Sequence, residues 1–395
     1  MQIGLLGKAN VGKSTFFSAA TQTPVQIGNF PFTTIEPNVG VTHVKTDCAC
    51  KHFDLKHESK FCIDGKRFIP IKLIDIAGLV PGAHEGKGLG NQFLDDARQA
   101  EALIHVVDIA GTTDIQGQPV PVGTHDPLED VKFVEEEFEQ WFVQILDREW
   151  SKLSKEIEQK TIKLVDGIAK RFSGLGIKNN DVQTVLQKTE LLTKKHTEWE
   201  HADIELFAKE LRRHCKPILI AANKADLCND LEIIKKISGL VVPCSAETEL
   251  LLKKAAKSDL VNYVPGSDSF TINESSGISA QQKKALNLVS SVFSKIQTTG
   301  VQSALNSIIF DVLKLIVVYP VEDETKFCNK DGVILPDAKL LQPDSTAKNL
   351  AETIHADIAK GFLHAIDCKT RQRIGADHKL KNGDVIKIVS TLSRG

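Results

Sequence analysis

No run of about 18 consecutive apolar residues occurs in this chain of 395 residues, which argues against a membrane-spanning helix. A dominant charge is missing too. The 49 Lys and Arg nearly balance 51 Asp and Glu, so no global field draws the chain to nucleic acid, and any RNA contact must rest on a local patch. Internal repeats and low-complexity tracts are absent. The first apolar segment reads as a strand feeding a loop, not as a signal peptide, and the expectation is a cytoplasmic protein. The eight cysteines are scattered, and reduced thiols suit that compartment. Cys48, Cys50, His52, His57 and Cys62 do crowd together, which raises the possibility of a zinc site. Yet C-x-C lacks the usual two-to-four-residue ligand spacing, and the segment reads as an exposed loop and hairpin before a Gly65-Lys66 turn.

What the chain does contain is a phosphate-binding signature. Gly7-Lys8-Ala9-Asn10-Val11-Gly12-Lys13-Ser14 fits G-x-x-x-x-G-K-[ST], with the apolar strand candidate Ile3–Leu6 before it and a helix beginning Thr15-Phe16-Phe17 after it. Glycines let backbone N–H groups turn onto phosphate oxygens, and the helix aims its positive end at the same place. In this pattern the Lys13 ammonium reaches the β- and γ-phosphates and the Ser14 hydroxyl ligates Mg²⁺, with Val11 and Thr15 completing the cradle.

Three further apolar segments end at polar residues: Ile71–Ile74 before Asp75, Leu103–Val107 before Asp108, and Pro217–Ala222 before Asn223. Segments apolar on both faces and alternating with helices predict a doubly wound parallel sheet, an α/β fold whose ligands bind beyond the strands' carboxyl ends. Asp75-Ile76-Ala77-Gly78 is then D-x-x-G, with Asp75 holding the Mg²⁺ shell and the Gly78 N–H approaching the γ-phosphate. Asn223-Lys224-Ala225-Asp226 places a carboxylate with two acceptors where guanine offers N1–H and N2–H₂ donors, a pair that adenine lacks. Asn223 and the Lys224 stem would brace that loop, and Ser245-Ala246-Glu247 would supply an N–H to guanine O6. In Phe30-Pro31-Phe32-Thr33-Thr34-Ile35-Glu36-Pro37, the Thr34 hydroxyl, preferred over Thr33, would complete the Mg²⁺ shell when the γ-phosphate is present.

Length alone predicts two or three domains. Between Asp126 and Cys215 the apolar residues, Val134, Phe138, Trp141, Ile145, Leu153, Ile168 and Phe172 among them, largely follow helical spacing. The aromatic stripe is a core seam, broken at Ser173-Gly174-Leu175-Gly176. The expected organisation is a nucleotide domain over 1–125 and 216–300, a helical insertion over 126–215, and a compact mixed unit over 305–395. Thr298-Thr299-Gly300 is a hinge candidate, Asp344 or Ser345 a helix cap, and Asn382-Gly383 a hairpin turn.

These motifs together resemble the translation-associated P-loop GTPases, and Asp75–Leu94 (Asp-Ile-Ala-Gly-Leu-Val-Pro-Gly-Ala-His-Glu-Gly onward) is similar to the Obg-like branch of YchF type, with archaeal and eukaryotic members. Asp331-Gly332-Val333-Ile334-Leu335-Pro336-Asp337, Ser345-Thr346-Ala347 and Asn382-Gly383-Asp384-Val385-Ile386 resemble a TGS domain, a ubiquitin-like β-grasp fold. The resemblance implies GTP or GDP with Mg²⁺, slow hydrolysis as a regulatory switch, and the ribosome or its RNA as partner through the TGS domain. Some members have an altered base-reading motif and prefer ATP, whereas Asn223–Asp226 is intact here. Leu79 stands where Ras-like enzymes carry a water-orienting Gln, so another group must organise hydrolysis. The candidates are His84 on a glycine-rich segment and a K⁺ ion at Asn10, which resembles a cation ligand of related GTPases. Lys369, Arg371, Arg373, His378, Lys379 and Lys381 form a basic stretch suited to RNA or to plain solvation. Two other readings stay open: an RNA- or protein-binding scaffold with a structural nucleotide, and an ATPase or small-molecule kinase.

Overall fold

The apolar segments that end at Leu6, Ile74, Val107 and Ala222 are all strands. The computed structural model describes residues 1–22, 38–56, 59–76, 96–274 and 277–392. Strands β1 (Gln2–Leu6), β2 (Val39–Asp47), β3 (Cys62–Ile63), β4 (Lys66–Asp75), β5 (Ala102–Asp108), β6 (Ile218–Asn223) and β7 (Val241–Pro243) make one sheet in the order β2-β4-β1-β5-β6-β7, with β3 on β4. The run β4-β1-β5-β6-β7 is parallel, in registers Leu5↔Asp75, Leu6↔His105, Asp108↔Asn223 and Ala222↔Pro243. Five carboxyl ends therefore share one edge, and Gly7, Asp75, Asp108, Asn223 and Ser245 follow or close those strands. Every residue of β5 is buried, as a central parallel strand requires.

By contacts the described residues divide into two units, one of residues 1–22, 38–41, 72–76 and 96–304, the other of residues 42–56, 59–71 and 305–392. In the first, helix α1 (Lys13–Thr21) follows β1, and the β5-to-β6 crossover is expanded into α2 (Pro127–Glu158), α3 (Leu164–Arg171), α4 (Asn179–Lys188) and α5 (His201–Cys215). Asp126 caps α2 by accepting the Leu128 N–H, with Pro127 at the first helical position. The aromatic stripe is core: Phe138, Phe142 and Phe172 are fully buried, and they pack in one cluster with Leu6, Ile74, Ile76 and Leu103 of the sheet region. Trp150 and Trp199 stack at 4.6 Å. Arg212, buried in the same layer, donates to the buried Glu139 at 2.8 Å.

Helix α6 (Ala246–Lys257) follows β7, and β8 (Val261–Asn262) pairs with β9 (Thr271–Ile272) in the turn-rich stretch. Helix α7 (Ala280–Ile296) starts with a capping box between Ser279 and Gln282. The hinge candidate is tightly packed. Thr299 is fully buried, and Gly300, at φ +79°, presses so closely on Pro243 and Cys244 that an added Cβ would lie 2.0 Å from the Pro243 carbonyl oxygen.

In the second unit, after α8 (Val301–Ser307), strands β10 (Ile316–Val321), β11 (Lys339–Leu341), β12 (Phe362–Asp367), β13 (Gln372–Ile374) and β14 (Asp384–Ser390) form a mixed sheet in the order β11-β10-β14-β12-β13. Its β10–β14 pair is parallel and its other pairs are antiparallel. Helices α9 (Ala347–Ile354) and α10 (Ala356–Lys360) accompany it, with Ala347 and Leu350 in the core shared with Val318, Ala365 and Ile386. Three expectations are corrected here. The cap is Thr346, whose hydroxyl accepts the Asn349 N–H, and not Asp344 or Ser345. Asn382-Gly383 turns the chain but joins no hairpin: β14 pairs with β10 and β12, and Asn382 Oδ1 accepts the Val317 N–H at 2.8 Å. The Cys48–Cys50 segment is buried, not exposed, and its neighbouring hairpin turns at Asp64-Gly65, both with positive φ, so that Ile63 pairs with Lys66.

Candidate functional site

Gly7–Ser14 leaves β1 and enters α1 through a backbone position that restricts the side chain. Gly12, the α1 N-cap, sits at φ +92°, and a Cβ there would lie 2.3 Å from Asn223 Nδ2. Lys13 pairs with the Asp75 carboxylate at the end of β4, while Ser14 is exposed in the first turn of α1. Hard oxygen donors from Ser14 and Asp75, one a hydroxyl and one a carboxylate, are the donor set that Mg²⁺ takes.

Asn223 joins the motifs. Its Nδ2 donates to the Val11 carbonyl at 2.9 Å, and its Oδ1 accepts the Ala246 N–H at 3.0 Å. One buried amide thus ties the phosphate loop to the start of α6. Lys224 is held at φ +60°. Its ammonium reaches the Asn10 carbonyl at 3.0 Å, Asp108 Oδ2 at 2.8 Å and Thr112 Oγ1 at 2.9 Å. The Ala225 N–H donates to the Cys244 carbonyl at 3.0 Å, which fixes the turn that presents Asp226. Lys295 donates to the Asp226 carbonyl at 3.2 Å. The Ser245 N–H donates to the Thr299 carbonyl at 2.9 Å and the Ala246 N–H to Asn223, so both amides are engaged within the protein. Asn10, at φ +61°, donates through Nδ2 to the Gly117 carbonyl at 2.9 Å. The candidates Thr34, Gly78, Leu79 and His84 lie outside the described residues.

Several polar residues in and around the loop are not ones the motifs specify. Lys8 is buried and pairs with Asp130 at 2.7 Å, while its ammonium also donates to the Thr113 carbonyl at 2.9 Å. His125 Nε2 meets the same carboxylate at 2.8 Å. Asp108, fully buried, accepts from Thr112, Thr113 and Lys224. Behind the base-reading turn, the buried Glu249 accepts from Tyr263 at 2.6 Å and from Thr299, while burial pushes the Tyr263 phenol up. Only Asp108 carried a signal in the sequence, as a polar residue closing an apolar strand. The others become visible once the chain is folded.

His105 on β5 is buried completely, and desolvation, assisted by the nearby Lys8 ammonium, lowers its pKa from the ordinary 6.5 to about 3. Between those values the unfolded chain binds a proton that the folded chain refuses. Stability from this residue is therefore complete above pH 6.5 and falls as the pH drops toward 3. Going from pH 7 to pH 5 should cost about 2 kcal/mol through His105. Denaturant titrations of the parent and His105→Gln at the two pH values check this. An equal pH dependence in both proteins would exclude His105 as the source.

A parallel sheet with a phosphate loop after its first strand, an acidic residue closing the neighbouring strand and N-K-x-D after another defines a P-loop GTPase domain. Family models agree along the chain: "50S ribosome-binding GTPase" over residues 2–148, "Obg-like GTPase YGR210-like, G4 motif-containing domain" over 221–323, and "TGS domain" over 332–390. A GTP-binding protein of Methanocaldococcus jannaschii is 44% identical over 98% of each chain. The crystal structure of a GTP-binding protein from Pyrococcus horikoshii OT3 covers 99% of this chain and 100% of its own, at 40% identity and a TM-score of 0.77. A protein of Mycoplasma genitalium named "Ribosome-binding ATPase YchF" is 34% identical over 61% of this chain and 62% of its own. The chain belongs to the YchF/Obg-like family of GTP-binding proteins and carries a C-terminal TGS domain. Among the described residues, no helix is long and apolar enough to cross a membrane.

Proposed function

We propose that this protein is a slow GTP-hydrolysing switch that takes GTP with Mg²⁺ and acts with the ribosome or another translation component. The observation that carries the reading is the Asn223 side chain, bonded at once to the phosphate loop and to the segment that begins α6. A guanine base read by Asp226 and a triphosphate held by Gly7–Lys13 would be registered to each other through that one amide. Mg²⁺ would be held by Ser14 and Asp75 and would neutralise charge on the β- and γ-oxygens. Thr34 and Gly78 are proposed to report the γ-phosphate, so that its loss releases their segments. The name of the Mycoplasma relative supports a ribosomal partner but an adenine nucleotide. The intact Asn223-Lys224-Ala225-Asp226 supports guanine here.

Titration of the purified chain with GTP, GDP and ATP tests the assignment, with GTP expected to bind at least about 100-fold more tightly than ATP. Equal competition by the two would overturn it. Turnover measured with and without ribosomes separates a switch from a scaffold, because a rate raised by no partner favours the scaffold. Lys369, Arg371, Arg373, His378, Lys379 and Lys381 are exposed, and Lys379 pairs with Asp344 at 2.8 Å. Association through this patch should weaken as salt rises, and a salt-insensitive association would count against it.

For the step that Leu79 cannot organise, the Asn10–Gly117 hydrogen bond favours the cation reading. It engages the Asn10 amide by its nitrogen, and Oδ1, the end a K⁺ ion would take, has no part in that bond. Asn10→Ala should abolish any stimulation by K⁺ over Na⁺ in single-turnover hydrolysis, and His84→Ala should keep it. Unchanged rates for both variants in both salts would remove both candidates.

A further inference from the structure

We propose that Cys48, Cys50 and Cys62 form a zinc site within the second unit, each giving one thiolate to a tetrahedral ion. The three sulfurs lie within 4.8 Å of one another, and Cys50 and Cys62 are 3.9 Å apart. Tetrahedral zinc with Zn–S bonds of about 2.3 Å puts its sulfur ligands about 3.8 Å from each other. A disulfide would need about 2.05 Å. The Cys50–Cys62 spacing is that of two ligands on a common ion, and the third sulfur lies within reach of the same ion. Soft thiolates also select zinc over the magnesium expected in the phosphate site.

The backbone builds this cluster from two places. Cys48 caps the single turn Ala49–Lys51 that follows β2, Cys50 lies within that turn, and Cys62 opens β3. The Cys48 N–H donates to the Gly65 carbonyl at 2.9 Å, and Cys62 pairs with Arg67 in the β3–β4 ladder, so the two segments are locked together. The C-x-C spacing that looked too short for ligands works because the turn sets both sulfurs on one side.

Charge agrees with the assignment. Three thiolates and Zn²⁺ leave one negative charge, and the fully buried Arg67 guanidinium lies close enough to act on Cys48. Arg67 is itself fixed, donating to Ser59 Oγ at 3.1 Å and to the Leu335 carbonyl, with its guanidinium 5.6 Å from the Tyr319 ring. Cys50 and Cys62 line an open cavity of about 640 Å³ together with Lys51, Asp54 and Asp64. An ion has a route in, and water a place at the fourth position. The ion clamps the turn after β2 to the β3–β4 hairpin.

The full chain, purified reduced and offered one equivalent of zinc, should retain it through desalting. Cobalt offered instead should give the strong thiolate-to-metal absorption and tetrahedral bands of a sulfur-rich site. X-ray absorption of the zinc form should show about three sulfurs at about 2.3 Å. Cys48→Ser, Cys50→Ser and Cys62→Ser should each weaken zinc binding by at least about 100-fold, the upper end of what even outer-shell changes cost. If a variant fails to fold, the cobalt spectrum and sulfur count of the parent chain still decide the matter. Zinc lost on desalting, an octahedral oxygen-rich cobalt spectrum, unchanged affinity in the serine variants, or a Cys50–Cys62 disulfide forming equally fast with and without zinc would each overturn the proposal.

Discussion

Asp226→Asn should lower GTP affinity by at least about 1,000-fold while leaving the thermal midpoint close to that of the parent. The carboxylate offers two acceptors to the guanine N1–H and N2–H₂, and an amide offers one acceptor and one donor. The amide oxygen keeps N1–H and the donor then faces N2–H₂, so one hydrogen bond is lost and a repulsion replaces it. Such unmatched groups are the source of large discrimination in sites built to hydrogen-bond their ligand. Xanthine carries a carbonyl where guanine carries N2–H₂, so xanthosine triphosphate should gain what GTP loses. The turn itself should survive, because its anchors lie elsewhere: Ala225 to Cys244, Lys224 to Asn10 and Lys295 to the Asp226 carbonyl. Isothermal titration of the parent and variant with GTP and xanthosine triphosphate measures the exchange. A loss under tenfold, or no gain for xanthine, would mean that Asp226 does not read the base.

The parts of this fold that depend on short-range pattern were legible in the chain. Apolar runs on both faces gave β1, β5 and β6 to within a residue or two, and a glycine-rich turn after β1 gave the phosphate loop. The helical stripe through Phe138, Trp141 and Phe172 was identified as core and is buried as such. Breaks without glycine or proline were not legible. The stop between α2 and α3 falls at Gln159–Lys163, where Lys160 takes φ +57° with no residue type to announce it. The polar supports of the site were hidden for a different reason. Lys8 meets Asp130 across 122 positions and Lys224 meets Asp108 across 116, and no local periodicity encodes pairings of that range. Burial of the cysteine turn depends likewise on β4 and on residues near Leu335 and Tyr319.

Those long-range pairs set the second large effect. Lys224→Met should destabilise the first unit by about 3 kcal/mol, the cost of leaving one member of a buried ion pair uncompensated. Asp108 is fully buried, and without the ammonium its carboxylate keeps only the donors of Thr112 and Thr113. The same change frees the Asn10 carbonyl and with it the middle of the phosphate loop. GTP affinity should therefore fall together with stability, although Lys224 lies beneath the loop and its ammonium is already engaged there. Asp108→Asn in the Lys224→Met background separates the two losses. Neutralising the stranded carboxylate should recover more than about 1 kcal/mol of stability, the coupling expected of groups in one network. It should not recover nucleotide affinity, because the tether to Asn10 is still missing. Denaturant midpoints for the four members of the cycle give the coupling, and GTP titrations of the same proteins give the affinities. Strict additivity in stability would show that Lys224 and Asp108 do not act as a pair, and restored affinity in the double variant would show that the Asn10 contact contributes nothing to holding the loop.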